Sequence, residues 1–221
     1  MLRTKFRLEL SILRLLSLAA LPAAFGLLHA AEVSQVTSVP PTPPKINARF
    51  ISDKTASDEE VTRGILVAET NQFSFVLPHG FRCQVDGATK KLAITSSDYG
   101  CTISAVIHEA ALEGKVDLKP DTVRSQVLAR FPGGRITDEF NASIQSMSGP
   151  GFEVRWISSA SVPTVSRVAF VPYQGGHIEF TFQTTEENFS TYEHALNHLL
   201  LSFRSSPVGQ KLEMQELLSE L

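Results

Sequence analysis

One short stretch constrains this chain more than any other. From His177 to Gln183, Ile178, Phe180 and Phe182 alternate with His177, Glu179, Thr181 and Gln183. A period of two places the aromatic set on one face and the polar set on the other, so the stretch is a strand with a buried and a wet side. Three large apolar groups on one face need a covering layer. The sequence supplies it at once: Phe189, Tyr192, Leu196, Leu199, Leu200 and Phe203 recur at the helical period. Thr184 and Glu187 stand at capping-box spacing, and Glu186 suits the positive end of a helix. Ser205-Ser206-Pro207 closes the pattern.

Upstream the signals are of the same kind. Gln72-Phe73-Ser74-Phe75-Val76-Leu77 alternates and is stopped by Pro78 and Gly80. Strands are expected from Phe81 to Val85, Leu92 to Thr95 and Cys101 to Ile107, with Gly87 and Asp98-Tyr99-Gly100 in the turns. A first helix is expected from Pro120 to Phe131. Pro120 fits the first turn, Val123, Val127 and Phe131 form a stripe, and Pro132-Gly133-Gly134 ends it. Four more strands follow, near 135–147, 151–158, 164–172 and 177–183, separated by Gly149-Pro150-Gly151 and Gly175-Gly176. Short links between neighbouring strands make the sheet antiparallel. The expected fold class is α+β: an antiparallel β-sheet with two main helices packed on it.

Four regions are expected. Residues 1–31 read as a secretory signal peptide. Arg3, Lys5, Arg7 and Arg14 precede or flank an apolar run from Leu15 to Leu28, broken by Pro22 and short for a bilayer span of about 20 residues. The exit is Ala30-Ala31 before Glu32. An uncleaved N-terminal anchor is the alternative, and it is the one route to a membrane that the sequence offers. Residues 32–64 are a spacer, with Pro40-Pro41-Thr42-Pro43-Pro44 in polyproline form, running into a polar, poorly ordered segment. Residues 65–205 are the folded domain. Residues 206–221 are an amphipathic tail in which Met214, Leu217, Leu218 and Leu221 form a stripe, either folded back on the domain or docking a partner protein.

Composition excludes some functions. At 43% hydrophobic residues the chain builds a real core, and 14 Phe against one Trp and three Tyr make that core phenylalanine-rich. The net charge is −3, and removing the leader takes away four basic residues and one acidic, leaving the rest more acidic still. That opposes nucleic-acid binding and electrostatic docking on anionic lipid. Export, to the periplasm or the outside, exposes Cys83 and Cys101 to an oxidising compartment, where they are expected to form a disulfide; two buried free thiols are the alternative.

Candidate chemistry is sparse. His194 and His198 stand at i, i+4, a spacing that places two imidazoles on one metal. The helix stripe turns both away from the core, and no third ligand accompanies them, so they read as solvated. Glu153, Arg155, His177 and Glu179 are expected on one outward sheet face, either as an acid/base cluster or, more plainly, as cross-strand charge pairs. Gly133-Gly134 and Gly175-Gly176 lack any phosphate-binding pattern, and no nucleophile elbow is present. Asn141-Ala142-Ser143 and Asn188-Phe189-Ser190 match the glycosylation pattern but fall in a strand and a helical turn. No catalytic residue and no cofactor are expected.

Two motifs resemble the PsbP-like family and its structural cousins among Ran-release factors. The first is Phe73-Ser74-Phe75-Val76-Leu77-Pro78-His79-Gly80-Phe81, an opening strand, a Pro and a Gly-aromatic pair, with Phe81 where that family often has Trp. The second is Glu179-Phe180-Thr181-Phe182 running into a helix that ends Leu201-Ser202-Phe203-Arg204-Ser205. The resemblance covers about residues 65–205. It implies a non-enzymatic accessory or assembly role beside membrane complexes and transfers no functional residue. The expected function is therefore an exported, non-catalytic accessory or binding module, the alternative being a carrier of a small apolar ligand between sheet and helices.

Overall fold

The computed structural model describes residues 46–54, 58–68, 70–110 and 118–209. The leader, the proline run and the Met214–Leu221 stripe lie outside these residues. The chain order is β1 (Ile46–Lys54), β2 (Glu60–Ala68), β3 (Asn71–Val76), β4 (Phe81–Asp86), β5 (Lys91–Ser96), β6 (Cys101–Glu109), α1 (Pro120–Arg130), β7 (Arg135–Ile144), β8 (Met147–Ile157), β9 (Pro163–Tyr173), β10 (Gly176–Thr185), α2 (Phe189–Tyr192), α3 (Ala195–Ser202) and β11 (Arg204–Pro207). The strands form two antiparallel sheets: four strands in the order β1-β2-β3-β11, and seven in the order β4-β5-β6-β10-β9-β8-β7.

The α+β class holds, with a different arrangement of layers. Two sheets, rather than one, enclose the main core. Ile178, Phe180 and Phe182 of β10 are fully buried against Phe73 and Phe75 of the smaller sheet and against Leu196, Leu199 and Phe203. The rings of Phe73, Phe75 and Phe180 lie within 6.0, 5.4 and 5.3 Å of Phe203. On the other face of the large sheet, α1 sets Val123, Val127 and Phe131 on Phe152, Val154, Val168 and Phe170. The two helical regions therefore occupy opposite faces of the large sheet, so Glu179 is covered by α1 and is not on a wet face.

The first helix matches its expectation: Pro120 opens it, and Val123 and Val127 are its buried residues. The second does not run unbroken. It is a single turn, α2, followed by α3, with right-handed dihedral angles kept through Glu193 and His194. Arg167 Nη1 donates to the Glu193 carbonyl at 3.0 Å, which takes that acceptor out of the helical ladder. Nor does the capping box form. Thr184 belongs to β10 and donates to the Gly100 carbonyl at 2.7 Å. The neighbouring hydroxyl, Thr185 Oγ1, accepts from the Asn188 backbone N–H at 3.3 Å instead. Ser202 closes the helix by accepting from the Val76 N–H at 3.0 Å, stitching α3 to β3.

The folded part begins before residue 65. β1 and β2 pair in continuous register from Ile46↔Ala68 to Lys54↔Glu60, within the stretch read as spacer and poorly ordered segment. At the other end, β11 extends through Pro207, past the expected boundary at 205. Gly149-Pro150-Gly151 is not a turn but lies inside β8; the turn is at 145–146, where Gln145 takes φ 53°. Gly149 is needed for a close approach, since a Cβ there would stand on the Phe170 carbonyl oxygen.

Candidate functional site

The four charged residues expected on one face are split between two. Register settles this: Phe152 pairs with Val168 under α1, so Glu153 points the other way, while His177 and Glu179 alternate with the core residues Ile178 and Phe180 and point toward α1. Each acid is neutralised by its own partners. Glu153, buried, accepts from Arg167 Nε at 3.1 Å and from Thr137 Oγ1 at 3.0 Å, with Arg155 Nε at 3.7 Å. Arg155 also binds Glu186, and Arg167 lies 4.9 Å from the centroid of the Phe189 ring. Glu179, also buried, accepts both guanidinium nitrogens of Arg130, the last residue of α1, the Nη2–Oε2 bond measuring 2.9 Å. Glu153 is thus held by cross-strand arginines and Glu179 by a helix arginine, both buried rather than on the outward face the sequence suggested.

Beside Glu179 the rings of His108 and His177 stack, 4.6 Å between centroids and 10° from parallel. They meet because β6 and β10 put the two residues directly opposite each other. His108 Nε2 lies 3.8 Å from Glu179 Oε2. Burial, then the neighbouring His108, holds the His177 imidazole below its ordinary value, with Glu179 pulling the other way. Sequence singled out His177 and Glu179; His108 was missed, although the alternation of β6 placed it on the same polar face.

His194 and His198 are both exposed, His194 in the break before α3 with Glu193 Oε1 3.3 Å from its Nε2. Among the described residues no three His, Cys, Asp or Glu side chains are placed to hold a metal ion. Cys83 and Cys101 are free thiols, which corrects the expected disulfide. Cys83 pairs with Ile94 of β5, and Ile94 in turn pairs with Ile103 of β6, so β5 lies between the cysteines. Two strand spacings come to about 9.6 Å before any offset along the strands, beyond the roughly 7 Å that a disulfide spans between Cα atoms. Burial pushes both thiols up to about 12, helped at Cys101 by the Asp98 carboxylate.

The surface feature sequence did not single out is at one end of the large sheet. Tyr99 is 78% exposed and takes φ 61° in the β5–β6 turn. A bulky residue in the left-handed region is strained unless its surroundings fix it. Here Asp98 fixes them: its carboxylate accepts from the Tyr192 hydroxyl, from Ser96 Oγ at 2.7 Å and from the Gly100 N–H at 3.1 Å, while the Tyr99 N–H donates to the Ser96 carbonyl at 2.9 Å. These bonds bring Asp98 down to about 2 and raise Tyr192. The Tyr99 ring borders a cavity of about 390 Å³ shared with Val162 and lined by Thr102, Thr164, Gln183 and Thr185. Ile157, 59% exposed, stands at the same end. A second concavity, also about 390 Å³, opens where Glu60 and Thr62 of β2 meet Leu77, Pro78 and His79. It continues toward His198 and Ser202 of α3.

No protein family model matches the chain, and no curated protein matches it in sequence. Solved structures with a similar chain path include PsbP (CyanoP) of Synechocystis sp. PCC 6803, at 12% identity and TM-score 0.47 over 74% of this chain and 94% of that one. LpqN of Mycobacterium tuberculosis, described as involved in cell envelope biogenesis, matches at 12% identity and TM-score 0.41 over 73% and 92%. The Ran-binding protein Mog1p of Saccharomyces cerevisiae matches at 10% identity and TM-score 0.42 over 72% and 96%. Identities and scores of this size carry nothing about activity or partners.

Proposed function

We propose that this chain is an exported, non-catalytic binding module that docks a partner protein through the end of the large sheet bearing Tyr99 and Val162. The single observation behind it is the display of Tyr99, an exposed aromatic on a backbone held in a costly conformation by a dedicated set of hydrogen bonds. Rigid aromatics lose little entropy on contact and serve as anchors at interfaces. The cavity beside it offers the exposed side chains of Thr102 and Gln183 to a partner's polar groups. The paired state of Glu153 and Glu179 speaks against acid/base work, since each carboxylate is already spent on arginine. The Met214–Leu221 stripe remains a second proposed contact. Carriage of a small apolar ligand draws no support from the interior, where the Phe73, Phe75, Phe180 and Phe203 rings pack on one another.

The test is cross-linking and co-purification of the mature protein from its native host, comparing wild type with Tyr99→Ala and Val162→Ser. A partner lost by both variants at unchanged melting temperature supports docking at this end. An unchanged partner set in both variants refutes it.

A further inference from the structure

We propose that the stacked His108–His177 pair is an acid-operated latch, releasing the C-terminal end of α1 from the large sheet by drawing Glu179 away from Arg130. Arg130 is the last residue of α1, and its grip on Glu179 ties the helix end to β10. The next residue, Phe131, packs on Trp156 at 5.1 Å between centroids, and Arg130 itself lies 5.8 Å from the Phe170 ring centroid. In this closed form His108 Nε2 and His177 Nδ1 are buried and have no hydrogen-bond partner among the described residues. Neutral rings tolerate that arrangement; charged rings do not, because an imidazolium needs an acceptor or water at each N–H.

Among the described residues, the first proton has one acceptor within reach. Glu179 Oε2, 3.8 Å from His108 Nε2, is the oxygen that Arg130 Nη2 also holds. Closing that gap to a charge-assisted bond of about 2.8 Å pulls the carboxylate off the guanidinium. Arg130 is 42% exposed at its side chain, so water readily takes Glu179's place. The His108 side chain is 42% exposed while its Nε2 is buried, so a second proton adds repulsion across the 4.6 Å stack that is eased as water reaches the buried nitrogens. Among the described residues the other charges facing the pair are few. α1 contributes Arg130, β10 contributes Glu179, and β5 carries Lys91 on the same face, in register with Val106. β9 presents the uncharged Phe170 and Pro172, and Glu109 of β6 points to the opposite face, paired with Lys90. The sign agrees with the local titration. The folded value of His177 is lowered, so the closed form keeps its full stability above the ordinary value of 6.5 and loses it as pH falls below that.

Trp156 is the chain's one tryptophan and packs on Phe131 at the end of α1 that is released, so its emission reads the latch directly. In the full-length mature protein, acidification from pH 8 to pH 5 should shift Trp156 emission reversibly to the red while far-UV circular dichroism holds. The double variant H108Q/H177Q should show no such shift. E179Q should show the red-shifted emission already at pH 8, with little further change, and it decides the matter if the double variant does not fold. An unshifted wild type, a shift that survives in H108Q/H177Q, pH-dependent emission in E179Q like that of wild type, or loss of circular dichroism in step with the emission would each overturn the latch.

Discussion

Truncating Phe180 to alanine tests the central packing claim. The side chain is fully buried in the middle of β10, and its ring meets Phe203 edge-on at 5.3 Å and 87°. Removing a buried Phe costs about 3–5 kcal/mol, with the spread set by how far neighbours collapse into the space. Here collapse is blocked on three sides. The cross-strand neighbours of Phe180 are Ala105 and Ala169, too small to reach across, and Phe203 is fixed by Phe73 and Phe75. The loss of an aromatic pair adds about 0.5–1.5 kcal/mol to the lost burial. The expected cost is therefore in the upper half of the range, about 4–5 kcal/mol. In urea unfolding the midpoint should fall with the m-value unchanged, and at about 2–4 °C per kcal/mol the melting temperature should drop by roughly 8–20 °C. Gln183→Ala, exposed on the opposite face of the same strand, is the control and should stay within about 0.5 kcal/mol. A Phe180→Ala cost below about 1 kcal/mol would refute the assignment of this face to the core.

Other consequences follow from single sites. Cys83 and Cys101 should both react with a thiol reagent in protein unfolded without reductant and only slowly in native protein at pH 8, as thiols pushed up to about 12 are mostly protonated there; a two-dalton mass gain on reduction would contradict this. Gly149→Ala should destabilise by at least the roughly 1–3 kcal/mol of ordinary overpacking, since its obstacle is the Phe170 backbone and not a mobile side chain; a neutral result in thermal unfolding would show that β8 and β9 separate freely. Asp98 is lowered to about 2 from 3.8, so its stabilising bonds are fully present above pH 3.8 and fade as pH falls toward 2. The melting temperature of Asp98→Asn should accordingly lie below that of wild type at pH 6 and converge with it near pH 2, and parallel curves would rule out the bonding seen at the Tyr99 turn.

Elements that carry their own burial signal were legible in sequence. β10 shows a strict alternation because one of its faces is buried core, and α1 shows Val123 and Val127 four apart because one stripe meets the sheet. β1 gives no such signal. Apart from Ile46 it has no buried residue, and only Ile51 and Asp53 are even half-covered, so its pairing rests on backbone bonds and on polar contacts such as Asp53 with Arg63 and Ser52 with Glu60, which a hydrophobic pattern does not report. In β2 the regular burial begins at Arg63 and Gly64, and for that reason the sequence places the domain start near residue 65. Gly149 and Gly151 illustrate a different ambiguity. Glycine marks a turn and a close approach equally, and only the position of Phe170 and Phe140 against those two residues tells which one operates.

The cysteines show how topology adds to spacing. Eighteen positions suit a disulfide loop, yet the same reading put a strand at 92–95 between Cys83 and Cys101. Strands joined by short turns lie side by side in chain order, so a meander that contains β5 must also separate its two neighbours by β5. The polar site needed the same step. Glu153 and Glu179 both follow period two, but the period fixes only which residues of one strand share a face. Which face of β8 matches which face of β10 depends on β9 between them, where Val168 pairs with Phe152 on one side and with Thr181 on the other. That match puts Thr181, and with it Glu179 and His177, on the α1 side, and Glu153 on the core side. The acid/base cluster dissolves for this reason into two separate groups, Glu153 with Arg155 and Arg167, and Glu179 with Arg130, and His177 finds its neighbour in His108, whose strand pairs directly with its own.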